Sequence, residues 1–370
     1  MKNWDIQYIK HLKAKCNILL KTASDKDKVN IKKTLWTLNE IEKYYYKKFN
    51  FSLPQKTNYY KILLDDLDSL KKFGYYMPIV RKANILGKKL NIKGETLARI
   101  KVSDAKLMEA ADLFYQQFNG EFNLAYQKVQ KGFEKRLRIN KYRKVADGLT
   151  FSVYNTKLSF LEVQREQTIQ DFLTINHEIA HSIVNYINKR SIWDGEKYPF
   201  IEVESLFFET LTNYQLLENE ATSTEALYLA FDIIKDYLTE TNLICLKANM
   251  YNDYSLKELI DKKKIKKYLK RKCKLENLKP KTILATKITD NFHYIVSYFT
   301  AIEIFLIYRQ DPQKALESLI AITKASGKTE GEYLSYVNSL GINPGENFQQ
   351  YLELLKRFDK KGEYLWQNTI

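Results

Sequence analysis

Apolar residues recur at spacings of three and four along most of this chain, a period that admits little besides packed α-helices. Stretches such as NYYKILLDDLDSLKKF (58–73), STEALYLAFDIIKDYL (223–238) and HYIVSYFTAIEIFLIY (293–308) all carry it. Glycine and proline, which interrupt helices, number only 12 and 6 in 370 residues. The pattern therefore predicts a mainly α protein, and a chain of this length with 45% hydrophobic residues can bury a large core.

One segment departs from the helical period. In TFSVYNTKLSFLEV (150–163), β-branched and aromatic residues alternate with polar ones, which predicts one or two strands and is the only convincing sheet signal. Upstream, Ser103 is placed to cap a helix over 104–118, and EFNLAYQKVQKGFEKRLR (121–138) reads as one long amphipathic helix. Thr168 and Asp171 form a capping pair that opens the helix IQDFLTINHEIAHSIVNYI (169–187). No Gly/Ser-rich linker divides the chain. The expected organisation is a helical N-terminal region over 1–100 and a larger domain over 101–370.

The first residues, MKNWDIQYIKHLKAKCNILLK, carry charges throughout and no apolar stretch of the kind a signal peptide or membrane span requires. The expectation is a soluble, cytoplasmic protein with no membrane partner. Cys16, Cys245 and Cys273 form no CxxC pair, which excludes a disulfide framework or thiolate metal cluster. The formal charge of +16 raises the question of nucleic acid, and nine basic residues fall between Lys262 and Lys274. A charge run alone specifies no partner, so this one is read as a solvated helix or loop and nucleic acid is not the expected ligand.

The chemistry of the chain is concentrated in TINHEIAHSIVNY (174–186), which holds two of only four histidines. His177 and His181 are four apart, so on a helix both imidazoles project from one face and can reach a single ion. Zinc accepts neutral imidazole nitrogen, and catalytic zinc typically has three protein ligands. Glu178, beside the first histidine, is placed to act as general base toward an attacking water. No glycine and further histidine follow His181 closely, so the third ligand is sought among Glu202, Glu204 and Glu209 in FIEVESLFFE. On a helix Glu202 and Glu209 share a face and Glu204 points about 200° away; spacing alone does not choose among them.

Taken together, HEIAH (177–181) and IEVESLFFE (201–209) resemble the thimet oligopeptidase and oligoendopeptidase F family of zinc peptidases. In that family a His-Glu-x-Gly-His helix is followed by one beginning Val-Glu-x-Pro-Ser-x-x-x-Glu. The resemblance runs from about Leu97 to the C-terminus. It implies a zincin-like (gluzincin) catalytic domain with a small sheet edging the substrate cleft, and a Zn2+ ion held by His177, His181 and Glu202. Ser205 and Glu209 would support the ligands from outside, and a peptide would be the substrate, added as a strand beside 151–163. Tyr298 would donate to the oxyanion with Tyr294 or His293 assisting, and Tyr154 and Tyr294 would contact substrate.

There are departures from the pattern. Ala180 replaces the family glycine and Glu204 its proline, while ATKITD (285–290) lacks the histidine that precedes the family tyrosines. The N-terminal helical part is also much shorter. The expected function is that of a zinc-dependent endopeptidase of the oligopeptidase type. The alternatives are a catalytically weakened or inactive homologue that binds peptides or a protein and, further off, a basic nucleic-acid-binding helical protein.

Overall fold

The computed structural model describes residues 4–46, 59–89, 100–140, 148–153, 156–188, 202–276, 288–325 and 330–359. In chain order the elements are α1 (Ile6–Thr22), α2 (Asp25–Tyr46), α3 (Tyr59–Phe73), α4 (Met77–Lys89), α5 (Asp104–Gln116), α6 (Gly120–Gln130) and α7 (Phe133–Arg136). The strands β1 (Leu137–Asn140), β2 (Gly148–Ser152) and β3 (Ser159–Gln164) follow, then α8 (Gln170–Asn188), α9 (Val203–Glu218), α10 (Ser223–Asp253), α11 (Leu256–Ile260) and α12 (Lys262–Glu276). The chain closes with α13 (Ile288–Tyr308), α14 (Pro312–Lys324), α15 (Glu330–Ser339) and α16 (Phe348–Lys356). Among the described residues the protein is mainly helical with one small sheet, and no described helix is long and apolar enough to cross a membrane.

Two compact units are built from alternating pieces of chain. The first takes Met1–Phe51, Leu97–Ala226 and Leu316–Ser326; the second takes Ser52–Thr96, Leu227–Ala315 and Gly327–Ile370. One crossing falls near residue 100, but the first 51 residues belong to the same unit as α8 and α9.

In the first unit, β3 lies between a parallel β1, with Leu137 opposite Leu161, and an antiparallel β2, with Thr150 opposite Leu161. Two of these strands lie where the alternation in 150–163 places them. The third, β1, corrects the reading of 121–138 as one helix. The helix stops at Gln130, makes a single further turn over Phe133–Arg136, and becomes extended at Leu137. Four residues carry too short a pattern to announce a strand, and the pairing that fixes this one comes from Leu161 to Gln164, more than twenty residues on.

All six residues of β3 are buried, because both faces of the sheet are covered. On one face are the small and polar residues: Thr150 bonds to Glu178 of α8, and Asn185 of the same helix donates to Ser159 Oγ at 3.1 Å. The other face is aromatic. Phe151, Val153 and Phe160 pack with Trp4, Ile9, Leu38 and Ile41 of the N-terminal segment and its two helices. Trp4 meets Phe151 and Phe160 edge-on, and its indole donates to the Leu161 carbonyl at 2.7 Å. Thr150 and Ser159 thus face a helix rather than solvent, while Glu162 lies on the aromatic face against Asn140 and Arg138.

Local caps fix where these helices begin. Ser103 accepts from Lys106 N at the start of α5, as its position predicts. The expected Thr168–Asp171 pair is not formed. Asp171 instead accepts from the backbone of Glu166 and Gln167 and from Arg165 Nε at 2.8 Å, while Thr168 Oγ1 has no partner among the described residues. Arg165 also pairs with Asp104 and donates to the Val102 carbonyl, so one buried guanidinium ties the starts of α5 and α8 together.

The second unit has its own polar anchor. Asp66 on α3, fully buried, accepts from Lys247 Nζ at 2.7 Å, Tyr251 Oη at 2.6 Å and Ile288 N at 2.9 Å, joining α3, α10 and α13. Burial pushes the Lys247 ammonium below its ordinary value, against the pull of Asp66. The basic helix α12 rests Ile265 and Leu269 in this unit's core, while Lys263, Lys264, Lys266, Lys267, Lys270 and Arg271 are exposed, as expected of a solvated face.

Candidate metal centre

Helix α8 presents its apolar residues Leu173, Ile175, Ile179, Ile183 and Val184 to the core, and at the edge of that stripe His177 and His181 stand one turn apart. Their rings are 4.9 Å apart and nearly perpendicular. Among the described residues, His177, His181 and Glu202 form the group whose ligand atoms lie close enough to share an ion, within 4.8 Å of one another.

Glu202 is the outer boundary residue of α9, with φ −100° and ψ 3°, and not part of its first turn. The rotation of 100° per residue therefore does not apply to it, and the expectation that Glu204 points about 200° away from Glu202 is corrected: both reach His181. Glu202 Oε2 lies 3.3 Å from His177 Nε2 and 3.1 Å from His181 Nε2. Glu209 Oε2 is 3.0 Å from His177 Nδ1, and Glu204 Oε1 is 3.4 Å from His181 Nδ1. Ser205 donates to the Glu202 carboxylate at 2.9 Å and to its carbonyl at 3.0 Å, fixing that side chain against the turn.

This donor set fits a zinc ion. Tetrahedral bonds of about 2.1 Å place neighbouring ligand atoms about 3.4 Å apart, close to the spacing of Glu202 from each Nε2. Both Nδ1 atoms are engaged by carboxylates, which leaves both Nε2 atoms aimed at the same point.

Without an ion, the same geometry holds protons. Burial works to lower the imidazole of His177, but hydrogen bonds to Glu202 and Glu209 carry it well above its ordinary value. Burial likewise opposes protonation of His181, yet the charge of Glu202 and bonds to Glu202 and Glu204 bring it to about 10. Burial acts to raise Glu202, and the two histidines hold it well below the usual carboxylate range.

Glu178 occupies the narrow space between α8 and β2. Thr150 Oγ1 donates to its carboxylate at 2.6 Å, and the same hydroxyl lies 3.0 Å from its carbonyl. Burial raises the Glu178 carboxyl above its usual range, with the nearby histidines pulling the other way. Gly148 makes the close approach possible, since a Cβ there would fall 2.6 Å from Glu178 Cγ. Neither Thr150 nor Gly148 is marked by the motif; a small polar residue alternating within a strand was the available signal.

The other candidates are distributed differently. Tyr298, His293 and Tyr294 lie on α13 in the second unit. Tyr298 is buried and stacks on Tyr237 with centroids 4.0 Å apart, His293 meets Phe73 edge-on, and Tyr294 is exposed. Tyr154 lies outside the described residues.

No family model matches the chain. It is 24% identical over 223 residues to an oligoendopeptidase F homologue of Borreliella burgdorferi, an alignment spanning 54% of this chain and 38% of that protein. Among solved structures, a Bacillus anthracis protein assigned as an oligoendopeptidase F matches with a TM-score of 0.51 at 16% identity, covering 93% of this chain and 65% of its own. A PZ peptidase A crystallised with an inhibitor matches with a TM-score of 0.53 at 13% identity, covering 95% and 68%. The chain thus spans well under half of the curated relative and about two thirds of these structures. In matched sequence the chain is similar to an oligoendopeptidase F homologue, and in fold it is similar to solved structures of this kind of peptidase.

Proposed function

We propose that this protein is a zinc-dependent endopeptidase of the oligopeptidase type. The observation that carries the reading is the meeting of His177 Nε2, His181 Nε2 and Glu202 Oε2 beside the buried carboxylate of Glu178. A zinc ion held by these three side chains would polarise a peptide carbonyl and acidify a water at neutral pH.

The chain's own residues divide the remaining work. Glu178 takes a proton from the attacking water and passes it to the leaving amine. Burial, which lifts its carboxyl from the usual range, suits it to both transfers. Thr150 fixes the direction of that carboxylate, and Glu209 keeps His177 in the tautomer that leaves Nε2 free to ligate.

A peptide substrate would add along β2. Of the strand segment 151–163, β3 is paired on both sides, so the available edge belongs to β2, which among the described residues pairs with β3 only. Pairing through backbone groups tolerates many sequences, as an oligopeptidase requires.

The test combines metal analysis with turnover. The purified protein should hold about one zinc per chain, lost in His177→Ala, and cleave quenched peptides. Glu178→Gln should keep the metal and lose nearly all turnover. A parent and variant that both hold zinc and are equally silent would identify a peptide-binding homologue, and a parent that takes up no zinc would overturn the reading.

A further inference from the structure

We infer that Glu204 is a second carboxylate clamp on the metal-binding histidines, holding His181 as Glu209 holds His177. The inference rests on the proposed zinc site and adds a positioning residue to it.

Three observations carry it. First, Glu204 is 2% exposed in the first turn of α9, a position that a helix packed this deeply would ordinarily give to an apolar side chain. Second, its Oε1 faces His181 Nδ1 at 3.4 Å, the ring atom left over once Nε2 is turned toward Glu202. Third, its other oxygen, Oε2, is buried and has no hydrogen-bond partner among the described residues.

A buried carboxylate with half its acceptors idle is a poor structural element, because nothing repays its loss of water. It becomes intelligible beside an imidazole that ligates a cation. Metal coordination through Nε2 leaves a proton on Nδ1 and makes it a stronger donor, and an acceptor there fixes the tautomer and the ring plane. The two clamps come from one helix. Glu204 and Glu209, five residues apart on α9, both follow Glu202 and address the two histidines separately.

This is the position at which the sequence departs from the Val-Glu-x-Pro-Ser pattern, with Glu204 where that pattern has proline. A proline at the start of a helix shapes its entry and offers no acceptor. In this chain the entry turn is held by Ser205 bonding back to Glu202, and the side chain at 204 is free to serve the histidine.

The experiment compares the full chain with Glu204→Gln and Glu204→Leu. Zinc affinity is measured by competition with a chelator, and the His181 ring proton is followed in 15N-edited NMR spectra. Glu204→Leu should weaken zinc binding about 10- to 100-fold, with Glu204→Gln, which keeps an acceptor oxygen, falling between it and the parent. The Nδ1 proton of His181 should lie far downfield in the parent, persist in Glu204→Gln and move upfield or exchange away in Glu204→Leu. Affinities within twofold across the series, with an unmoved His181 resonance, would overturn the inference. If the parent binds no zinc, the metal reading fails separately, and the His181 resonance of the metal-free protein still decides: sensitivity to Glu204→Leu upholds the clamp, indifference ends it.

Discussion

The hydroxyl of Thr150, on the antiparallel edge of the sheet, lies 2.6 Å from the carboxylate of Glu178 on the facing helix. It is the shortest link between the strand proposed to hold substrate and the group proposed to move protons. A bond to an ionised buried group contributes about 1.5–3 kcal/mol, so Thr150→Val should lower kcat/KM by about 10- to 100-fold. Because that bond holds the Glu178 carboxyl down against its burial, the acidic limb of the pH–rate profile should also shift upward. Thr150→Ser should restore most of the rate; a Val variant with parental rate and profile would show that the contact has no part in turnover.

Gly148 offers a steric test of the same gap. In Gly148→Ala the added methyl must push Glu178 aside, because the Cβ would sit within bonding-clash distance of its side chain. Peptide hydrolysis should fall at least tenfold while zinc content stays at the parental level, as the methyl meets the base and not the ligands. Equal loss of zinc and activity would place the damage in the fold instead.

Metal binding should release protons. The folded-state values of His177 and His181 lie above that of a free imidazole, so the metal-free protein favours the charged form of both rings. The stability their ion pairs confer is fully present below the ordinary imidazole value and is lost as pH rises through the raised one, about 10 for His181. Zinc must displace these protons, so calorimetry at pH 7 in buffers of different ionisation enthalpy should show about two protons released per ion. A heat independent of buffer would contradict the charged resting state.

The second unit can be probed through Asp66 and Lys247, which are buried against each other. Removing either partner takes the opposite charge away from a buried ionic group, so Asp66→Ala and Lys247→Met should each cost about 3–5 kcal/mol in denaturant unfolding. The double variant should recover part of this loss. Strict additivity would mean that the two groups do not interact.

Much of this could be read in advance where local periodicity and chemistry coincide. The helix carrying His177 and His181 was legible because its stripe, its spacing and its motif all lie within twenty residues. Ser103 was legible as a cap for the same reason. The failures share a different cause. Strand β1 depends on a partner distant in sequence, and the Asp171 side chain is claimed by Arg165 and the backbone behind it before Thr168 can use it. Glu204 was read as pointing about 200° from Glu202 because the helical rotation was carried through Glu202, one residue before the helix begins, whereas both carboxylates reach His181.

The indole of Trp4 bonding to Leu161 closes a loop of 157 residues. During synthesis α1 and α2 leave the ribosome before the aromatic face they cover, which comes later by on the order of 10 to 30 s at ordinary elongation rates. For that interval Trp4, Ile9, Leu38 and Ile41 have no sheet to pack against. The nascent chain thus carries an uncovered apolar surface until β3 emerges, a natural target for holding by chaperones and a point where slowed translation would favour aggregation over assembly of the site.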